Sequence, residues 1–397
     1  MITVLFDLDD TLINNNSDQF TQVYLGLLGK RLQDKVDAKI MIPALLEGTR
    51  QMVEKTTLPG TLEETFDKFF YPAIGLEKSL LADEIADFYQ NIFPMLQPQT
   101  SPRPKAIKVV KACLAKGWQV GIATNPLFPM AAVQHRVNWA GLNATEIPFV
   151  AVTSFEPYHF SKPQPAFFAE VAARIGAFDH PVVMIGNDLK DDILPASQAG
   201  LPVFWLTDSA DSLPEGLTIG SKSGCIEEIL PWLEEIEKNW ISGKPKTIPA
   251  ILAALGGGAA AIDALVRGLK QDSWKKKPSE TEWNITEIIC HLRDVDRDVN
   301  LPRINTILKE NQPYIAGIET DRWAVERDYL HQDGMSALKN FLQSRQELVQ
   351  ILENADIDLW QKVFRHTIFG PSTLKDLMEF TIAHDNNHIK QIRNLIP

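Results

Sequence analysis

Two rhythms of apolar and polar positions divide this chain. Near-continuous apolar runs of strand length, "ITVLF" at 2–6, "QVGIAT" at 119–124, "FVAVTS" at 149–154, "VVMIG" at 182–186 and "PVFWL" at 202–206, are separated by helical periodicity. Strands without polar alternation belong in a parallel sheet covered on both faces, so this part predicts an α/β domain. From about 18 to 93 the apolar positions recur at helical spacing, ahead of the proline-spaced "QPQTSPRP". That stretch is too long for a loop and predicts an inserted helical cap. The periodic pattern lapses at "ISGKPKTIPA", 241–250. Beyond it everything reads as helix: "PAILAALGGGAAAIDALVRGL", "ITEIICHLRDVDRDVNLPRINTIL", "ALKNFLQSRQELVQILENA" and "TLKDLMEFTIAHDNNHIKQIRNLI". Four amphipathic segments predict a four-helix bundle, with 309–334 as a crossover between the second and third. The expected domains are 1–240 (core 1–13 and 96–240, cap 14–95), a linker at 241–250 and the bundle at 251–397.

Composition narrows the function classes. A chain of 397 residues, 45% hydrophobic and 23% charged, suits two globular domains. The formal net charge of -12 repels polyanions, and the one compact basic run, "WKKKP" at 274–278, has no aromatic interleaving, which argues against nucleic acid. Met1 leads directly into an apolar strand with no basic leader, and no apolar run reads as approaching membrane-spanning length, so the expectation is a cytoplasmic protein without membrane attachment. Cys113, Cys225 and Cys290 are odd in number and widely spaced, as buried reduced thiols would be.

Candidate chemistry gathers at strand ends, where open α/β sheets bind ligands. In "FDLDDTL", Asp7 and Asp9 follow the first strand at alternate positions, so extended backbone projects both carboxylates the same way. "ATNP" places Thr124 and Asn125 at a second strand end, "SKPQP" supplies Lys162, and "GNDLKDD" supplies Asp188, Asp191 and Asp192. A single aspartate after a strand is commonly a helix cap, but four motifs in this order favour a catalytic reading. They resemble the haloacid dehalogenase superfamily, in its phosphatase-like branch with a helical cap after the first strand, over Met1 to about Asn239.

The resemblance implies a covalent aspartyl-phosphate on Asp7, with Asp9 as acid and base and Lys162 neutralising nucleophile and phosphate. Thr11, Thr124, Asn125 and Lys162 would bind the phosphate. Asp7, Asp9, Asp188 and Asp192 would hold Mg²⁺, a hard ion that favours carboxylate oxygen. An acid at Asp9 favours phosphate esters, because halide departs unprotonated. Asn187 stands where the commonest family form has aspartate, and Asp188 is expected to take over by a one-residue shift, with Asp191 at the surface. The aromatic patch "FDKFFYP" at 66–72, with Phe88, Tyr89 and Phe93, reads as cap core rather than as a stacking surface for substrate.

The second constellation lies in "AHDNNHIKQI", 383–392. At helical spacing Leu377, Thr381, His384, His388 and Leu395 share a stripe beside a second one of Met378, Ile382, Ile389, Ile392 and Ile396, so both histidines face inward. Two imidazoles are rarely sufficient for a metal. His291 supplies a third, at the edge of the apolar face of a helix that Asn284 caps with Glu287. Three neutral imidazoles leave a divalent transition ion with open positions, a catalytic rather than a closed structural pattern. "EWNITEIICHL", "DRWAVERDYL", "ALKNFLQSRQELV", "FGPSTLKDLMEF" and "HDNNHIKQI" resemble the DinB family of metal-binding four-helix bundles, over about 247–397. The resemblance implies Zn²⁺, Ni²⁺ or a similar ion on His291, His384 and His388, and in some relatives chemistry with small thiols. His366 is a weaker candidate nearby, and His135, His159, His180 and His331 read as surface or packing residues.

The sequence thus reads as a Mg²⁺-dependent phosphatase of a small phosphorylated metabolite fused to a three-histidine bundle of thiol-transferase type. The alternatives are a phosphomutase or other phosphoryl transferase, and a bundle that binds metal or ligand without catalysis or serves as a homodimerisation unit.

Overall fold

The computed structural model describes residues 1–207, 213–241 and 247–396, so 242–246 of the expected linker lie outside the described residues. The chain divides into two compact units.

The first is an α/β unit with a six-stranded parallel sheet in the order Ala151–Val152, Gln119–Ile122, Thr3–Phe6, Val182–Gly186, Val203–Leu206, Lys222–Gly224. The two central strands next to one another, Thr3–Phe6 and Val182–Gly186, are buried at every position, which is why their sequences lack polar alternation. Register fixes the site. Phe6 lies opposite both Ile122 and Ile185, and the Asp7 N–H donates to Ile185 O at 2.9 Å. The carboxyl ends of three strands are therefore level, and the residues that follow them emerge at one edge.

A short antiparallel pair, Ile13–Asn15 with Thr100–Pro102, brackets the helical insertion. Its main helices are Ser17–Leu32, Ala38–Glu54 and Leu62–Ile74. Asn16 and Asp37 cap the first two, and Thr61 closes the third in a capping box with Glu64, satisfying backbone donors that would otherwise be orphaned. Phe70, Phe88 and Phe93 are buried in the core of this layer, as the patch was expected to be. Tyr24 and Tyr89 share a hydrogen bond of 2.9 Å between their hydroxyls.

The second unit is helical around Ile248–Val266, Ile285–Val295 continuing into Leu301–Lys309, Gly334–Glu353 and Leu374–Leu395. Asn284 and Glu287 form the expected capping box, with bonds of 2.9 and 3.0 Å. The run Gly256, Gly257, Gly258, Ala259, Ala260 and Ala261 is buried where the first helix packs on the third and fourth, because small side chains permit close helix approach.

Three expectations need correction here. Helix already begins at Ile248, inside the stretch assigned to the linker. Ile248–Val266 is also long and apolar enough, by length and composition, to cross a membrane, contrary to the sequence reading; 67% of it is buried inside the protein, as a bundle's central helix would be. And the second unit is not all helix. Val363–His366 pairs antiparallel with Gly370–Thr373 and parallel with Tyr314–Ile315. Its burial alternates, with Phe364 and His366 inward, so a period of two was present in a segment too short to stand out among helices.

Candidate active site and candidate metal centre

At the level strand ends of the first unit, a cavity of about 350 Å³ is lined by Asp7, Asp9, Thr124, Asn125, Lys162, Asp188 and Asp192. Lys162, only 2% exposed, places Nζ 2.6 Å from Asp7 Oδ1 and 2.6 Å from Asp192 Oδ1. The Asp188 N–H donates to the other oxygen of Asp192 at 3.1 Å. Burial and the nearby Asp192 raise the Asp7 carboxyl to about 7, against the opposing pull of Lys162. Lys162 itself is held protonated, since Asp192 and Asp7 outweigh the cost of burying its charge. Asn125 Oδ1 accepts from the Lys162 N–H at 3.3 Å, which ties a second strand end to the loop that carries the lysine.

Other sequence candidates fall differently. Asp188 is exposed, and one of its oxygens accepts from the N–H groups of Lys190 and Asp191 at 2.7 and 2.8 Å, so it works partly as a cap. Asp191 was expected at the surface but is half-buried and lines the cavity. Thr11 is not among the cavity-lining residues: it is buried, and its hydroxyl donates to Asn187 Oδ1 at 3.0 Å. Arg136 was missed. It is 4% exposed, ion-paired with Asp9 Oδ1, and packed against the rings of Phe20 and Phe128, the two phenylalanines that line the cavity. Asn15 also donates to Asp9 Oδ1, at 2.8 Å. The signal for Arg136 was a charge at helical spacing with the buried Ala132, Val133, Trp139 and Ala140.

The donor set fits a divalent cation. Six carboxylates, Asp7, Asp9, Asp10, Asp188, Asp191 and Asp192, line the cavity against two cations, Lys162 and Arg136. Such an excess of negative charge excludes a phosphate dianion unless a hard cation offsets it.

In the second unit the three histidines converge. His291 Nε2 and His388 Nε2 lie 3.0 and 3.2 Å from His384 Nε2, and all three ligand atoms fall within 4.8 Å of one another. A tetrahedral ion about 2.0–2.1 Å from each nitrogen sets ligand spacings of about 3.3 Å, so the arrangement fits a metal. His388 Nδ1 donates to Gln391 Oε1 at 2.8 Å, which leaves its Nε2 lone pair facing the others. Burial holds His291 at about 3 and His388 at about 4, keeping these imidazoles neutral. Trp283 stacks on His388 at 6.1 Å between ring centroids. His366 lies on the wall of the same cavity, of about 690 Å³, but outside the cluster of three.

Behind the imidazoles lies a network the sequence reading missed. Arg345, 1% exposed, donates to Asp296 at 2.7 and 3.2 Å, to Asp385 Oδ2 at 2.6 Å and to Leu255 O at 3.1 Å. Burial works against ionising Asp385, but Arg345 outweighs it and holds the carboxyl at about 2. Asp385 Oδ1 stands 3.7 Å from His384 Nδ1. The clue was a charge at each of three otherwise apolar helix positions: Arg345 between Leu342 and Leu348, Asp296 after Val295, and Asp385 between Ile382 and Ile389. Among the other histidines, His159 is wholly buried against Glu170 at 3.0 Å, His135 stacks on Trp139, His180 bonds Thr3 at 2.8 Å and His331 is exposed.

Comparisons with known proteins divide at the same place. Residues 1–200 match the family model described as haloacid dehalogenase-like hydrolase, and residues 254–392 match that of the DinB superfamily. Over 207 residues, half of this chain and 82% of the relative, the sequence is 27% identical to glyceraldehyde 3-phosphate phosphatase of Methanothermobacter thermautotrophicus. Among solved structures, the HAD phosphatase of Thermococcus onnurineus covers 59% of this chain and 98% of its own at 19% identity and a TM-score of 0.38. YfiT from Bacillus subtilis, described as a probable metal-dependent hydrolase with an unusual four-helix bundle topology, covers 40% and 89% at 18% identity and a TM-score of 0.35.

Removing one cation from the buried network leaves two carboxylates without their partner. Arg345→Met should therefore destabilise the second unit by about 3–5 kcal/mol, read from the shift of its denaturant midpoint. An unshifted midpoint would show that Asp296 and Asp385 do not depend on the guanidinium.

Proposed function

This chain belongs to the haloacid dehalogenase-like hydrolases, and from that premise we propose that the Asp7 cavity hydrolyses small phosphoric monoesters through a phosphoaspartate, while the DinB-type bundle carries a transition-metal ion on His291, His384 and His388. The observation that carries the first half is the buried Lys162 ammonium held 2.6 Å from both Asp7 and Asp192, with Asp9 on the same cavity wall.

An Asp7 oxygen attacks phosphorus, the ester oxygen leaves, and Asp9 gives that oxygen its proton; Asp9 then takes a proton from the water that cleaves the phosphoaspartate. Arg136 and Asn15 fix one Asp9 oxygen and leave the other for proton transfer. Lys162 offsets charge on Asp7 and on the phosphoryl oxygens, and Thr124 and Asn125 hold those oxygens from the adjacent strand end. Bound Mg²⁺, on Asp7 and Asp192 with help from Asp188 or Asp191, would supply the remaining charge compensation. A cavity of about 350 Å³ suits a small metabolite, and a relative named for a phosphorylated triose points to the same size class. In the bundle, three converging imidazoles beside a larger cavity support an ion with open positions, to which a small thiol is a fitting ligand.

Asp7→Asn keeps the shape but removes the attacking anion, so phosphatase kcat should fall roughly a thousandfold or more with the fold intact. Near-normal turnover would rule out covalent catalysis through Asp7. Gly186→Ala tests the placement of Asp192, because a Cβ there would sit 2.3 Å from Asp192 Oδ2 and push the carboxylate off Lys162. Its expected result is about 10–100-fold weaker activation by Mg²⁺ together with a lowered Tm, since Asp192 Cβ would also lie 2.5 Å away; an unchanged Mg²⁺ titration would separate Asp192 from the ion. His384→Ala with His388→Ala should abolish bound transition metal in elemental analysis while Mg²⁺-dependent phosphatase activity persists. Full metal stoichiometry in that double variant would make the cluster a core feature.

A further inference from the structure

The bundle cavity holds polar atoms that the metal reading leaves unused. His366 is 3% exposed, and its Nδ1 accepts from the N–H groups of Ile368 and Phe369 at 3.2 and 3.3 Å. A ring nitrogen that accepts carries the lone pair, so the proton of the neutral ring sits on Nε2. Burial and the nearby Arg303 push the ring below its ordinary pKa, in keeping with a neutral ring. That Nε2–H is buried and has no partner.

Arg303, on the helix Leu301–Lys309, is half-buried and lines the same cavity. Its Nη2 donates to Ala316 O at 3.0 Å, while its Nε–H is buried and unmet. Among the described residues no carboxylate pairs with it. Two buried donors without acceptors, one on a cation, are costly to a folded chain unless something supplies the acceptor. The cavity's own acids, Glu282 and Asp321, are exposed. The adjoining wall is apolar: Phe369 stacks on His366 at 4.6 Å and meets Phe380 at 5.1 Å, and Ile368, Phe369 and Phe380 are 72%, 50% and 48% exposed.

We propose that Arg303 and His366 form a carboxylate subsite, for an organic acid whose apolar body lies on Ile368, Phe369 and Phe380 in the cavity that also holds the three imidazoles. A monoanion supplies two acceptor oxygens for the two unmet donors at less desolvation cost than a phosphate dianion, and an apolar body covers rings otherwise left in water. The proposal deepens the reading of the bundle as a ligand-binding metal centre, but its donors are not the metal's.

Calorimetric titration of the full chain with 4-phenylbutyrate and with its primary amide tests it. The acid should bind at least about tenfold more tightly than the amide, and Arg303→Met and His366→Phe should each weaken the acid about tenfold and the amide, which offers one neutral acceptor oxygen, much less. Equal affinities for acid and amide, or an acid affinity untouched by both substitutions, would overturn the subsite. Competition by inorganic phosphate at similar concentration would overturn the choice of carboxylate. The same titration on chelator-stripped protein separates the two readings. Retained preference for the acid assigns it to Arg303 and His366, whereas loss of binding with the metal assigns the acid to the ion and defeats the proposal. Were the purified protein to hold no transition metal, the metal reading would fail alone, since the acid-to-amide ratio still reports on the subsite.

Discussion

A carboxylate taken out of water has to be met by a cation, and that constraint organises both units of the chain. In the first, Lys162 lies between Asp7 and Asp192 at 2.6 Å from each, while Arg136 pairs with Asp9. In the second, Arg345 lies between Asp296 and Asp385. Desolvation makes each unpaired ion expensive, so these cations fix where the acids stand and thereby which atoms face the cavities. The two arrangements differ in how far they balance. The Arg345 cluster pairs one guanidinium with two acids deep in the core, whereas the Asp7 cavity opens to solvent with more carboxylates than cations on its wall, a surplus that fits the cation and phosphate proposed for it.

Backbone geometry places the acids with equal economy. Parallel strands with matched ends bring Asp7, Thr124 and the loop after Gly186 to one edge, and a π turn at Leu189–Ile193 then carries Asp191 and Asp192. Another π turn, Asp296–Asn300, interrupts the second bundle helix where Asp296 meets Arg345 and Asn300. A π turn inserts a residue and shifts the following face of the helix, and such turns recur at functional sites. Gly186 contributes by absence, since any side chain there would collide with Asp192.

Much of the candidate chemistry could be read directly. Motifs that follow apolar strands mark Asp7, Asp9, Thr124, Lys162 and Asp192, and helical spacing turns His384 and His388 inward with His291 on a facing helix. Less legible were the partners of these groups. Arg136, Arg345, Asp296 and Asp385 were visible only as charges at helix positions otherwise apolar, a pattern that says a charge is buried without saying what meets it. Thr11 and Asp191 show the opposite error, where proximity in sequence to a motif did not decide which side of the cavity wall a side chain occupies.

What the sequence determined by itself is local and periodic: strands buried on both faces, amphipathic helices, the capping box at Asn284, and the order of motifs that identifies the fold of each unit. These follow from interactions within a few residues and from the period of burial. Tertiary structure alone decided which charges pair, that the strand Val363–His366 turns His366 inward, and that Ile248–Val266 is a helix largely buried among its neighbours. Those outcomes depend on groups far apart in the chain meeting at hydrogen-bond distance, and no local pattern encodes a distance between elements that only packing brings together.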